Sequence, residues 1–370
     1  MNILIALPND SLGGAEQYLK MVAHHYLKLG VNVFVLFLKR KNDLGWEDLE
    51  AYSNVTLFYT QSKTERAGLI DFFKNLSSLR RYKFDFIFTS HVHLTGLLGF
   101  FVRIRLLHKK YFVGRESTSI FHRFIGAKLL LFKIQYAIGY SSLDLLICQT
   151  DFMKKQLVES LPYLEKNIKI VTMPNPIDLE NLKQVGDQDI IDQIKNRFGD
   201  YIITAGRLIQ EKGFDLLISS FVNIKKENED LKLVILGEGV QREMLMSLIK
   251  SYNLENDVLL PGFTKNVYPY FKQARLCVVS SRIEGFPNVL LQMMSQNNTI
   301  VSTLCAGGID KLEGVITAKA NDYNSLEEAI KTALKANTTE NRLIFDRQLE
   351  ARSIDKFIEE IEFNCLKVYH

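Results

Sequence analysis

Short apolar runs alternate with amphipathic stretches along most of the chain. In the first half the runs are residues 2–8, 31–38, 55–59, 84–90, 110–114 and 144–150, each of strand length and rich in Val, Ile, Leu and Phe. Runs with so little polar alternation suit parallel strands covered on both faces. The stretch 14–30, GAEQYLKMVAHHYLKLG, instead has helical spacing at Tyr18, Met21, Val22 and Leu29 and closes on Gly30. KIVTMPNPIDLE at 169–180 carries two prolines and predicts a last strand passing into a linker near residues 175–195. The alternation then restarts. Strands are predicted at 201–207, 231–237, 257–262, 275–280 and 298–303, with helices between them, among them 240–252 and 324–336. Two βα series separated by a linker predict an α/β protein of two doubly wound, Rossmann-like domains facing across a cleft. The expected boundaries are 1–180, 181–350, and an amphipathic helix at 351–370 that packs back over the domain junction.

Composition agrees with this picture. The 370 residues, 47% hydrophobic and 24% charged, suit two soluble globular domains. The opening MNILIALPND has no basic region and too short an apolar run for a signal peptide. The longest apolar run, LTGLLGFFV at 94–102, is about half a membrane span and ends at Arg103. Cys148, Cys277, Cys305 and Cys365 lie far apart with no CxxC pair, which points to buried thiols in a reducing cytoplasm. A cytoplasmic location is therefore expected.

Charge adds one feature. Residues 1–185 hold 24 Lys and Arg against 16 Asp and Glu, whereas residues 186–370 hold 22 against 26. Much of the excess falls between Leu79 and Lys133, mixed with large apolar residues in RRYKF, FFVRIRLLHKKYF and FHRFIGAKLLLFK. That mixture suits an anionic membrane surface or a lipid-phosphate substrate, with a peripheral place on the inner face of the cell membrane. Ordinary solvated helix faces are the alternative. No groove-reading motif accompanies the charge, so nucleic acid is not an expected partner.

Four strand-to-helix loops carry the candidate chemistry. In PNDSLGGAEQ (8–17), Gly13 and Gly14 precede a helix, where backbone N–H groups and the helix dipole favour an anion. In TAGRLIQEKGFD (204–215), Arg207 ends a strand and Lys212 lies five residues on, just before Gly213; a guanidinium fork and an ammonium together can neutralise a diphosphate. LGEGVQRE (236–243) is a Gly-rich turn that includes Gly237. In SSRIEGFPNVLLQMM (280–294), Glu284 can accept from hydroxyls, and amides around Gly285, Phe286, Pro287 and Asn288 can bind sugar or phosphate oxygens. NVLLQMMSQ (288–296) predicts the helix that follows, and Pro287 suits its first turn.

GRLIQEKG, LGEG, PGF and SSRIEGFPNVLLQMM, in that order and spacing, together with GGAE at 13–16 and PNPID at 174–178, resemble the retaining nucleotide-sugar glycosyltransferases of family 4, which have the GT-B fold. The resemblance covers nearly the whole chain. It implies a nucleotide-diphosphate sugar bound mainly by the second domain and an acceptor bound by the first. Arg207 and Lys212 would hold the diphosphate and Glu284 the transferred sugar. The turn with Gly262 and Phe263 would meet the base through its backbone, and Gly13 and Gly14 would close on the phosphate side. Two departures stand out. The family's second Glu, eight positions after the first, is here Gln292. The loop after the fifth strand, where many members carry a His, reads VGREST with Arg115 and Glu116, while His91 and His93 occupy another loop where the family often has His. These four are acceptor-side candidates.

The resemblance implies transfer with retention, by same-face attack in which the leaving diphosphate takes the acceptor's proton. No metal and no cofactor are expected; two fixed cations replace Mg²⁺ at the diphosphate. The donor expected is a UDP-sugar ahead of a GDP-sugar, and the acceptor a glycan or lipid-linked glycan of bacterial-type surface polysaccharide synthesis. The alternatives are a GT-B nucleotide-sugar epimerase or hydrolase, and a sugar-nucleotide-binding subunit weakened in turnover.

Overall fold

The structure is a computed structural model and describes residues 1–11, 13–39, 44–59, 78–118, 120–186 and 197–366. It divides into two compact units, Met1–Pro176 with Ile354–His370, and Ile177–Ser353. The chain passes between units at Pro176–Ile177, within the expected linker; the part of that linker from residue 187 lies outside the described residues.

The first unit holds a seven-stranded parallel sheet. Its strands are β1 (Asn2–Leu7), β2 (Asn32–Phe37), β3 (Val55–Tyr59), β4 (Lys83–Thr89), β5 (His108–Glu116), β6 (Leu145–Cys148) and β7 (Lys169–Thr172), in the order 3-2-1-4-5-6-7. The second unit holds β8 (Tyr201–Ala205), β9 (Lys232–Leu236), β10 (Val258–Gly262), β11 (Leu276–Val279), β12 (Ile300–Thr303) and β13 (Val315–Ala318), in the order 10-9-8-11-12-13. Both orders reverse once, between β1 and β4 and between β8 and β11. At such a reversal the loops leaving two neighbouring strands diverge and open a crevice.

Burial explains why the strands read as unbroken apolar runs. Along β1, Leu4 and Ala6 enter one core cluster, whereas Ile3, Ile5 and Leu7 enter the other. Along β8, Tyr201, Ile203 and Ala205 face one cluster and Ile202 the opposite one. Side chains alternate across each sheet, yet both faces are covered, so no polar face is needed. β13, absent from the sequence reading, is four residues at a sheet edge and partly exposed. β10 lies at the other edge, and its register shifts between Leu259 and Gly262, where Pro261 can donate no ladder hydrogen bond.

The last helix, Ile354–Leu366, belongs to the first unit. Phe357, Ile358, Ile361 and Cys365 enter the same cluster as Tyr18, Val22 and Tyr26 of the helix Gly14–Lys28. The rings of Tyr18 and Phe357 meet edge-on at 5.6 Å, and Tyr26 donates to Glu362 at 3.3 Å. All four cysteines are buried free thiols. Among the described residues no helix is long and apolar enough to cross a membrane.

Candidate active site at two sheet reversals

In the second unit Arg207, Lys212 and Glu284 fall on the loops that leave β8 and β11, the two strands flanking the reversal. Lys212 and Glu284 come together there: Lys212 Nζ donates to Glu284 Oε1 at 2.5 Å, with both side chains about four-fifths buried, 18% and 19% exposed. Ser281 Oγ donates to the same carboxylate oxygen at 3.0 Å, and the Glu284 amide donates to the Cys305 carbonyl at 2.9 Å. Burial and the nearby Glu284 charge push the Cys305 thiol up to about 12, so it stays neutral. Lys212 runs along the backbone of Gly206, where a Cβ would meet its Cε at 3.3 Å. Next to Gly206, Arg207 is exposed, and among the described residues its side chain makes no hydrogen bond or ion pair.

Two features lock these loops. Gly213 has φ +63°, and a Cβ on it would lie 2.3 Å from the Ser280 carbonyl oxygen. Glycine is required there for both reasons. Ser280 Oγ also donates to the Lys212 carbonyl at 2.9 Å. The second lock is Arg282, which the sequence reading did not single out. Its guanidinium holds Asp215 with two hydrogen bonds, at 2.7 and 2.6 Å, and also donates to the Gln210 carbonyl at 2.9 Å and to Asn321 at 3.0 Å. Burial works against the Asp215 charge, but Arg282 outweighs it and holds that carboxyl below its usual range. Arg282 therefore ties the loop carrying Lys212 to the loop carrying Glu284. Its place two residues before Glu284 was the only signal in the sequence.

The helix after Glu284 spans Asn288–Gln296, as its pattern predicts. Pro287 is its N-cap, with φ −77° and ψ 97°, one residue ahead of the expected first turn. Among the described residues the amides of Gly285 and Phe286 donate to no protein acceptor, so two N–H groups at the helix start remain available. The Phe286 ring is buried in the core with the Arg352 guanidinium 5.4 Å from its centre, so only its backbone can serve a ligand. Gln292 Nε2 donates to the Tyr268 hydroxyl at 3.2 Å. Burial is the main cause raising that phenol to about 12, against the lowering effect of Gln292.

The glycine-rich turn plays a structural part. Gly237 donates its amide to the Gly262 carbonyl at 2.9 Å, and a Cβ on it would lie 1.9 Å from the Gly206 oxygen. The Gly237 amide is thus taken, and its missing side chain lets two site loops approach. Gly262 has φ +95°, and the neighbouring Phe263 is 77% exposed.

In the first unit the loops after β1 and β4 again flank a reversal. Gly13 is the N-cap of the helix Gly14–Lys28, and a Cβ on it would lie 2.6 Å from Glu16 Oε2. Burial opposes the Glu16 charge, but His91 and the amides of Glu16 and Gly13 hold the carboxyl low. Glu16 thus already supplies an anion at this helix start, where Gly13 and Gly14 are expected to favour one. His91 Nε2 lies 3.1 Å from Glu16 Oε1, and the His91 and His93 rings are 5.9 Å apart. Two acceptor-side assignments are corrected. Arg115 is buried, with its guanidinium 4.3 Å from the Tyr18 ring centre and bonded to Ser90 and Asn175; burial lowers it to about 10. Glu116 is buried beneath Tyr136 and Tyr140, which donate to it at 2.7 and 2.9 Å, and burial raises it to about 7. Neither side chain lines a surface.

Comparison with known proteins agrees with this arrangement. Residues 12–181 match the family described as Glycosyltransferase Family 4, and residues 187–347 match Glycosyl transferases group 1. The chain belongs to glycosyltransferase family 4, and its two Rossmann-like units are those of the GT-B fold. An uncharacterized glycosyltransferase of Methanocaldococcus jannaschii is 29% identical over 248 residues, covering 64% of this chain and 59% of that one. The N-acetylgalactosamine-N,N'-diacetylbacillosaminyl-diphospho-undecaprenol 4-alpha-N-acetylgalactosaminyltransferase of Campylobacter jejuni is 32% identical over 231 residues, 61% of this chain and 60% of that one. The match thus spans about three fifths of each of these relatives. Among solved structures, Anabaena HepE in complex with UDP-glucose superposes with a TM-score of 0.79 at 17% identity, covering 99% of this chain and 100% of the other.

Proposed function

We propose that this protein transfers a sugar from a nucleotide-diphosphate sugar to a glycan or lipid-linked acceptor, with retention at the anomeric carbon and without a metal. The observation that carries the reading is the meeting of Lys212 and Glu284 across the reversal between β8 and β11, beside the exposed Arg207. The donor's diphosphate lies against Arg207, Lys212 and the Gly285 and Phe286 amides, which stabilise negative charge as the glycosyl bond breaks. Glu284 accepts from hydroxyls of the sugar being moved. The acceptor hydroxyl attacks on the face the diphosphate leaves, the new C–O bond forms as the old one breaks, and the departing phosphate oxygen takes the hydroxyl proton. Atoms and charge balance without a protein base, which accords with a carboxylate committed to Lys212.

A UDP-sugar is the preferred donor. The solved structure with UDP-glucose and the Campylobacter transferase acting on a diphospho-undecaprenol glycan support that choice of donor and acceptor class, and the same class suits surface polysaccharide synthesis. The test is incubation with UDP-, GDP- and ADP-sugars, each with and without a polyprenyl-diphosphate glycan and in EDTA. Acceptor-dependent release of nucleoside diphosphate, with an α-linked product from an α-linked donor, is the expected result. Release without acceptor, an inverted product or abolition by EDTA would overturn it.

A further inference from the structure

We infer that the outward face of the helix Gly126–Gly139 is a docking surface for an anionic lipid bilayer. The helix is apolar on two opposite arcs. Its inner arc is fully used: Leu129, Phe132 and Tyr136 pack on the core of the first unit. The crossing with the neighbouring helix Val92–Arg103 is as close as backbones allow, since a Cβ on Gly139 would lie 2.0 Å from the Gly96 oxygen and one on Gly99 2.0 Å from the Gly139 oxygen. The helix therefore cannot roll to hide its other arc. That arc carries Leu130, Leu131, Ile134 and Ile138, 60%, 56%, 47% and 44% exposed, and follows directly on Ile125, 86% exposed. A helix apolar all round is ordinarily buried, so this stripe calls for a cover.

Charge says what covers it. At 100° per residue, Lys128 and Lys133 fall roughly 110° to either side of the stripe's centre, placed to run their stems along it with their ammonium groups at headgroup level. Lys128 already lies over the Phe124 ring at 4.3 Å. Between Asp85 and Asp144 the only acidic residue is Glu116, which is buried, whereas Arg103, Arg105, Lys110, Lys128 and Lys133 are exposed. Phe100 and Ile104, beside two of those arginines, are exposed as well. An apolar stripe flanked by cations, in a stretch whose exposed charges are cationic, complements negatively charged lipid. A second copy fits poorly, because a two-fold contact would bring a second Lys128 and Lys133 to the seam, and the helix Gly126–Gly139 carries no acidic residue to pair them. The basic residues that sequence reading linked to a membrane thus acquire an apolar partner and a defined face.

The test is flotation of the full chain with vesicles of phosphatidylglycerol and phosphatidylethanolamine, or of phosphatidylcholine alone, at low and physiological salt. The wild type should float with the anionic vesicles and hardly with phosphatidylcholine. The exposed-stripe variant Leu130→Asn/Leu131→Asn/Ile134→Asn should lose binding more than tenfold at both salts while keeping its melting temperature. Lys128→Gln/Lys133→Gln should bind several-fold more weakly at low salt and lose most of its salt dependence. An Ile134→Trp reporter should shift its emission to the blue on anionic vesicles. The inference is overturned if the wild type fails to float at low salt or if the stripe variant floats as well as the wild type. It is overturned equally if the wild type is a dimer that the stripe variant dissociates. These assays read lipid and not sugar, so they stand or fall separately from the transfer reaction.

Discussion

Lys212 Nζ and Glu284 Oε1 are 2.5 Å apart although 72 residues separate them in the chain. One cation of the proposed diphosphate site is thus already held by the carboxylate proposed to hold the sugar, while Arg207 is exposed without an ion pair among the described residues. The two cations should therefore behave differently on removal. Arg207→Ala and Lys212→Ala should each cost about 2–4 kcal/mol of transition-state stabilisation, measured as kcat/KM. Only Lys212→Ala should also lower the melting temperature, because it leaves the mostly buried Glu284 with Ser281 alone. Near-normal turnover in both variants would remove them from the diphosphate site.

Gly213→Ala tests the lock between the two loops. The substitution meets a left-handed φ and a carbonyl oxygen 2.3 Å from the new carbon. Chemical denaturation should show a loss of at least about 2 kcal/mol. An unchanged denaturation midpoint would mean that the loops adjust independently.

Gln292 donates to the Tyr268 hydroxyl, and that hydroxyl can equally donate. Gln292→Glu should therefore keep the contact with its direction reversed and leave the donor KM unchanged or lower. Gln292→Ala should raise that KM several-fold with little change in kcat. Steady-state kinetics would refute a donor-side role if Gln292→Glu abolished donor binding.

Glu116 sets a pH dependence. Its folded pKa, raised by burial to about 7 from a reference of 4.5, means that the folded protein keeps a proton the unfolded chain has lost between those values. Stability attributable to this group falls as pH rises through that window and stays lower above it. Glu116→Gln removes the titration. In urea titrations its stability relative to the wild type should gain about 3 kcal/mol between pH 4 and pH 8. A difference independent of pH would show that folding does not raise the Glu116 pKa.

The sequence was most legible where one physical rule decided the outcome. β1, β8 and β11 stand out because strands covered on both faces are apolar throughout, and the helix Asn288–Gln296 keeps its predicted bounds. β13 escaped because an edge strand of four partly exposed residues carries too little of that pattern. The site was legible as a set of loops, since Arg207, Lys212 and Glu284 each follow a strand. What could not be read was pairing over distance. Arg282 resembles a solvated arginine until Asp215, 67 residues earlier, is brought against it. Glu116 resembles a strand-end carboxylate until Tyr136 and Tyr140 close over it from a later helix.

The place of the helix Ile354–Leu366 in the first unit bears on the order of events at the ribosome. The strip around Tyr18 and Tyr26 is synthesised early, and the Phe357 and Ile361 that cover it emerge only after the whole of Ile177–Ser353. At about 5–20 residues per second that interval is roughly 10–35 s. During it the first unit waits with an uncovered aromatic strip, the kind of surface that chaperones recognise. Chains arrested on the ribosome before Ile354 is exposed should thus be more protease-sensitive in Met1–Pro176 than the released full chain.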